Sequence, residues 1–349
     1  MTTMPHIRPS SAAFGQPHHR SSPGHLEIRA ARPCFSLLAA AAWILACPTA
    51  LASEAGSGVP ARPNIVLILA DDMGYGDPGC YNPAGKIPTP HLDALAAQGM
   101  RFTDAHSPAA VCSPTRYGLL TGRYCWRVLK QGVLGGYGRP LIETTRPTLA
   151  SILKQQGYTT ACIGKWHIGA TFHAKDGRPT TRETDIDFTA PIRNGPCALG
   201  FDYAYWHAGC GTAAPPYGFI ENEHFVPPSF SYQKMEPYSG NGMTQEGWVT
   251  ANADPILTAK ACGFLRRSAA GAKPFFLYLA PNAPHEPCTA EALPEFARGK
   301  SAAGHRGDMV WLFDWTVGRV LETLDSTGQA DNTLVIVTSD NGALPGDFA

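Results

Sequence analysis

The chain has almost no net charge: 28 lysine and arginine side chains face 28 aspartates and glutamates. That balance removes the electrostatic case for nucleic acid or an anionic membrane surface as a partner. No pair of cysteines is spaced C-x-x-C, so a zinc knuckle is excluded. No apolar run is long enough to cross a bilayer comfortably. Charged residues are also sparse at 16%, against 44% hydrophobic, an ordinary globular balance in a chain of 349 residues that is able to bury a large core. Glycine and proline, at 36 and 31, are plentiful and imply many loops.

The first fifty residues read differently from the rest. Arg8, Arg20, Arg29 and Arg32 precede the apolar run Cys34 to Cys47, which Pro48 ends, and Ala50-Leu51-Ala52 supplies a small-x-small cleavage pattern. This is the pattern of a signal peptide, residues 1–52, removed after Ala52. A lipoprotein signal at Cys47 fits less well because Leu45 suits that pattern poorly. The expected mature chain, residues 53–349, is exported to a periplasm or secreted, with no transmembrane helix. It keeps 24 basic and 27 acidic side chains and eight of ten cysteines. Export permits disulfides, but if Cys112 is reserved for chemistry an odd number remains.

Four apolar, β-rich runs each end in polar residues suited to an ion. Asn64 to Ala70 runs into Asp71 and Asp72, and Thr333 to Ser339 into Asp340 and Asn341; both end in oxygen ligands. Thr159 to Gly164 runs into Lys165 and His167, and Pro274 to Ala280 leads to His285, donors suited to an anion. Helical patterns lie between: after Pro90, from Pro147 to Gly157, from Pro255 to Ala269, and from about Gly307 to Leu324 with an apolar stripe of Val310, Phe313, Val317, Val320, Leu321 and Leu324. Alternating strands and helices predict an α/β fold, a mostly parallel sheet sandwiched by helices, with ligands beyond the carboxyl ends of the strands. From Gly169 to Gly247 the pattern dissolves into aromatic, Pro- and Gly-rich segments, which read as a surface excursion. Singly, the clusters also suit helix caps, turns and loop histidines. Their convergence on one sheet edge points to a site.

The stretch Cys112-Ser113-Pro114-Thr115-Arg116 opens another helix, with Ser113 expected as its N-cap and Pro114 as its first residue, so that Cys112 sits where backbone amides favour an anion. A reactive thiolate fits that place. The thiol-phosphatase pattern does not, because it needs five residues between Cys and Arg and only three intervene here.

This stretch, with Leu119, Thr121 and Gly122 in register, resembles the activating signature C-x-P-x-R-x-x-L-x-T-G of the formylglycine-dependent sulfatases, of alkaline-phosphatase-like fold. The resemblance extends from Pro63 to Asp77, through Gly164 to Gly169 and Ala283 to Pro287, to Gly342. It implies that a formylglycine-generating or sulfatase-maturing enzyme converts Cys112 to Cα-formylglycine. It further implies that Asp71, Asp72, Asp340 and Asn341, with the modified Cys112, hold one Ca2+, or Mg2+; an all-oxygen set suits a hard cation better than zinc. The implied substrate is an aryl or glycan sulfate ester. A hydroxyl of the hydrated residue 112 attacks sulfur, the metal, Lys165 and Arg116 offset charge, His285 protonates the leaving alcohol, and His167 deprotonates the second hydroxyl. The family places a second active-site lysine and a C-terminal subdomain beyond the Asp-Asn-Gly segment, and no lysine follows Lys300 here. The sequence therefore reads as a catalytic domain truncated at its C-terminus. Two rival readings are a phosphonate or phosphodiester hydrolase of the same superfamily and a non-catalytic remnant that binds sulfated glycans.

Overall fold

Along the chain, β1 (Asn64–Ala70) is followed by helices α1 (Pro90–Gln98), α2 (Cys112–Thr121) and α3 (Leu149–Gln155), and then by β2 (Thr159–Lys165). Next come the short strands β3 (Phe172–His173) and β4 (Pro179–Thr180), then β5 (Tyr203–His207), β6 (Ile220–Glu221), β7 (His224–Phe225), β8 (Phe230–Gln233) and β9 (Gly242–Gln245). Helix α4 (Ala253–Ala269), strand β10 (Phe275–Ala280), helix α5 (Gly304–Ser326) and strand β11 (Thr333–Ser339) complete the order. These elements come from a computed structural model that describes residues 62–235 and 240–343. The expected signal segment, residues 1–52, and the lipoprotein alternative at Cys47 lie outside the described residues.

The main sheet has the order β11-β1-β10-β2-β5-β6-β7. Its first five strands are parallel, and β6 and β7 are antiparallel additions. Side chains alternate across a strand, and both faces are covered. Leu67, Leu69, Cys162, Phe276 and Tyr278 pack in one core with Tyr117 and Leu120 of α2 and Ala150 of α3. Val66, Ile68, Ile163, Leu277 and Leu279 face the other core with Leu257 and Ala261 of α4 and Phe313 and Val317 of α5. Burial on both faces is why these strands read as continuous apolar runs. The outer strand β11 is the exception, since Leu334 and Ile336 are exposed. The expected sandwich of helices about a mostly parallel sheet is what the chain forms. Among the described residues no helix is long and apolar enough to cross a membrane, and Cys80, Cys112, Cys125, Cys162, Cys197, Cys210 and Cys262 are free thiols.

The strand ends are tightly constrained at Gly164, which has φ 113° and pairs with Ala280. A Cβ built there would lie 1.9 Å from the Ala280 carbonyl oxygen. Gly164→Ala is therefore expected to destabilise the chain by about 4 kcal/mol or more, the range reserved for backbone conflicts in a core. A thermal melt and soluble yield equal to those of the unsubstituted chain would refute this.

Two expectations are corrected. Two helix starts fall earlier than the prolines suggested, α2 at Cys112 behind an extended Val111 and α4 at Ala253, two residues before Pro255, while α3 starts later than Pro147, at Leu149 behind the capping Thr148. Proline is tolerated within the first helical turn because its missing N–H would have had no partner there. Ser113 does not cap α2, and its hydroxyl instead accepts a hydrogen bond from the Leu134 N–H at 3.1 Å. The second correction concerns Gly169 to Gly247, which is no surface excursion. It contributes β5, and Phe172, Trp206, Tyr217 and Ile220 from it are almost wholly buried.

Candidate active site

Parallel strands end on one edge, so residues distant in sequence meet there. Asp71 and Asp72 follow β1, Lys165 closes β2 with His167 two residues on, His285 lies just past β10, and Asp340 and Asn341 follow β11. Helix α2 brings Cys112 to the same edge on its first turn. Its other end is closed by Gly122 in the left-handed region, whose N–H donates to the Gly118 carbonyl at 2.8 Å. That conformation favours glycine and explains its place in the motif. All of these site residues are buried. Asp72 and His167 also adopt positive φ, 65° and 55°, a backbone strain typical of functional sites.

Lys165 is at the centre. Its Nζ lies 2.5 Å from Asp71 Oδ2, 3.4 Å from Cys112 Sγ and 3.0 Å from Cys210 Sγ. The Cys112 thiol points at Asp71 Oδ1, 3.4 Å away. Arg116, wholly buried, donates to the Lys165 carbonyl at 2.9 Å and to Asp340 Oδ2 at 2.8 Å, and lies 3.3 Å from Asp71 Oδ1. Its guanidinium thus braces two carboxylates and the end of β2. Both Nη groups are engaged in this bracing. Asp340 Oδ1 accepts from the Asp72 N–H at 3.1 Å, and Asn341 donates to Asp72 Oδ1.

The two histidines are set up differently. Nε2–H of His167 donates to the Leu134 carbonyl at 2.7 Å, leaving Nδ1 buried and without a partner. Since Ser113 takes the Leu134 N–H, that one residue ties the α2 motif to His167. Burial and the charges of Lys165 and Arg116 push His167 down to about 3, so its ring is neutral with a free acceptor. His285 donates from Nδ1 to the Glu286 carbonyl at 2.8 Å, and its Nε2 lies 3.2 Å from Cys210 Sγ and 3.5 Å from Asp72 Oδ2. Burial and Lys165 disfavour its charged form, but Cys210 and Asp71 outweigh them and hold it well above the usual histidine range. One neutral and one protonated imidazole suit a base and an acid.

The acidic groups divide in the same way. Burial opposes ionisation of Asp71, yet Lys165, His285 and Arg116 hold its carboxyl far below the usual range, while burial and the Asp71 charge push Asp340 up to about 6. Burial and Asp71 push the Cys112 thiol up to about 11. A plain thiolate nucleophile at residue 112 is therefore disfavoured.

The oxygen set suits a hard cation. Asp72 Oδ2 and Asn341 Oδ1 are buried and make no hydrogen bond, a costly state that a dication would relieve. Ligand atoms of Asp71, Asp72, Cys112 and His285 lie within 4.8 Å of one another. The coarse expectation of a buried metal-binding group is therefore met.

Sequence reasoning missed Cys210, which belongs to no motif and lies in the loop after β5. It also missed Asp254 of α4, whose carboxylate accepts from the backbone N–H groups of Asn282 and Ala283 and so fixes the loop carrying His285. Arg306 of α5 was missed as well; it donates to the Asp72 carbonyl and to Asp77, 2.9 Å each.

A carboxylate-rich edge held by buried cations lies at the carboxyl ends of the strands, and the motifs that build it are shared with known proteins. Residues 63–347 match the sulfatase family model, and the chain belongs to the sulfatase family. It is 36% identical over 323 residues to N-acetylgalactosamine-6-O-sulfatase of Bacteroides thetaiotaomicron, covering 82% of this chain and 60% of that protein. It is 34% identical over 304 residues to arylsulfatase A of Homo sapiens, covering 84% and 54%. A solved Bacteroides thetaiotaomicron structure, described under the metabolism of multiple glycosaminoglycans, superposes with a TM-score of 0.70 at 33% identity, covering 81% of this chain and 63% of that one. The chain thus spans little more than half the length of the curated relatives it matches.

Proposed function

We propose that this chain carries the catalytic centre of a sulfuric ester hydrolase acting on sulfated sugars, with 6-sulfated N-acetylgalactosamine as the first substrate to test. The observation that carries the reading is the position of Cys112, with its Sγ 3.4 Å from both Asp71 Oδ1 and Lys165 Nζ at the start of α2. The choice of sugar rests on the N-acetylgalactosamine-6-O-sulfatase relative. Converted to Cα-formylglycine by a sulfatase-maturing enzyme, residue 112 supplies an aldehyde hydrate, a nucleophile that the buried thiol is not. A Ca2+ or Mg2+ ion, held by Asp71, Asp72, Asp340 and Asn341, supplies positive charge against sulfate oxygens.

The chain's own residues do the rest. Lys165 presents its ammonium to the sulfate, and Arg116 keeps Asp71 and Asp340 in place. His285, protonated, gives its proton to the leaving alcohol. His167 accepts a proton through Nδ1, and the negative charge of bound sulfate offsets the Lys165 and Arg116 charges that depress its basicity.

The test is hydrolysis by the matured chain of a 6-sulfated N-acetylgalactosamine and of the matching phosphate ester, with calcium and after exhaustive chelation. The expected result is sulfate release that depends on calcium, together with a melting temperature lowered by chelation, since the ion binds only the folded state. Asp340→Ala should reproduce both effects. Faster phosphate release would make the protein a phosphate-ester hydrolase, and binding of the sulfated sugar without turnover would make it a binding remnant.

A further inference from the structure

We infer that, before residue 112 is modified, Cys112, His285, Asp72 and Asp71 form a binding site for a thiolate-seeking divalent cation of the zinc class, and that loss of the Cys112 sulfur erases it. The four ligand atoms lie within 4.8 Å of one another, and two pairs are closer: Cys112 Sγ to Asp71 Oδ1 at 3.4 Å, and His285 Nε2 to Asp72 Oδ2 at 3.5 Å. Tetrahedral zinc, with bonds to S, N and O of roughly 2.0–2.3 Å, needs donors about 3.3–3.8 Å apart. The cluster therefore needs to close by only about 1 Å.

Two further observations point the donors inward. The His285 Nδ1–H is held by the Glu286 carbonyl at 2.8 Å, which turns Nε2 toward the cluster. A carbonyl on the far nitrogen is the usual partner of a metal-ligating histidine. Asp72 Oδ2 is wholly buried and makes no hydrogen bond. Lys165 holds Asp71 Oδ2, so a metal would take Oδ1 and share it with the Arg116 guanidinium 3.3 Å away.

The chemistry of the set differs from that of the oxygen site. Asp71, Asp72, Asp340 and Asn341 offer only oxygen and suit a hard ion. Sulfur, imidazole nitrogen and two carboxylates suit a borderline-soft one. The two sites share Asp71 and Asp72, so one ion excludes the other. Zinc binding forms Zn–S and Zn–N bonds and releases two protons to water, one from the Cys112 thiol and one from His285 Nε2, with no change of oxidation state. Conversion of the side chain to an aldehyde, a two-electron oxidation whose electrons pass to the oxidant of the maturing enzyme and whose sulfur leaves as sulfide, leaves only the oxygen set. The binding half of the inference stands on geometry alone, and the erasure half rests on the proposed conversion of residue 112.

The test uses the full chain made without a sulfatase-maturing enzyme, with mass spectrometry confirming a thiol at residue 112. After chelation it is titrated with Co2+ and followed by its thiolate-to-cobalt charge-transfer absorbance. One equivalent of cobalt is expected to produce the band, and Zn2+ but not millimolar Ca2+ to displace it. Cys112→Ser should remove the band and weaken zinc binding by about a hundredfold or more, whereas Cys210→Ser and Asp340→Ala should keep it. X-ray absorption at the zinc edge of the unsubstituted chain should count one sulfur neighbour, a readout that needs no variant to fold. No band, no sulfur neighbour, or a band that survives Cys112→Ser and vanishes in Cys210→Ser would overturn the proposal. In matured protein the band should be absent, and its persistence there would overturn the erasure half. Sulfate turnover is measured separately on matured chain, so failure of the enzymatic reading leaves the zinc result standing.

Discussion

Replacing Cys112 by alanine is expected to leave a folded chain whose sulfate ester hydrolysis is lowered by a factor of about 10,000 or more, the scale of losing a nucleophile. Chain in which residue 112 is still cysteine should be just as inactive. Burial and the Asp71 charge push that thiol up to about 11, so at neutral pH the thiolate fraction is negligible. Across preparations, turnover should rise in proportion to the fraction of residue 112 converted to formylglycine, as counted by mass spectrometry. A preparation with an unmodified thiol and full turnover would sink the aldehyde mechanism. The fold should tolerate the alanine because Cys112 contributes contacts to the site edge, whereas α2 is anchored by Tyr117 and Leu120 in the core.

The same residue shows how far the sequence alone could reach. The C-x-P-x-R signature identifies the family without any structure; β1, β2 and β10 were legible because burial on both faces removes polar residues from them, and β11 because it is rich in β-branched residues. The strands expected at Asn64–Ala70 and Thr333–Ser339 coincide with β1 and β11. Their polar ends then had to share an edge, because parallel strands point the same way. The bracing contacts of Arg116 were not legible. Its partners, Asp340 and the Lys165 carbonyl, lie 224 and 49 residues away, and no local pattern encodes such pairings. Cys210 was hidden for the same reason, since it reaches Lys165 and His285 only after β5 pairs with β2. Strand β5 itself is five aromatic-rich residues within a stretch of prolines and glycines, too short for its alternation to stand out. The helix starts slipped because proline marks a first turn rather than a first residue.

Lys165→Met should separate charge compensation at the sulfate from charge compensation at the metal. Methionine keeps much of the length and volume of lysine and removes the charge. The lost ammonium is expected to lower turnover of matured chain by a factor of roughly a thousand, comparable to removing one preorganised donor to a developing anion. Without calcium the variant should also be less stable by about 3–5 kcal/mol, because Asp71 loses a buried partner 2.5 Å away. The effect on the ion has the opposite sign. A fixed cation beside Asp71 repels a dication bound by the same carboxylate, so its removal should tighten calcium binding and enlarge the rise in melting temperature that calcium produces. Activity and calcium affinity would then move in opposite directions in a single variant. Calorimetric titration of calcium into matured Lys165→Met, beside turnover on a sulfated sugar, checks both. Weaker calcium binding would mean that Lys165 supports the metal site by holding Asp71 in place, and unchanged turnover would remove Lys165 from the reaction and leave the ion alone to balance the sulfate charge.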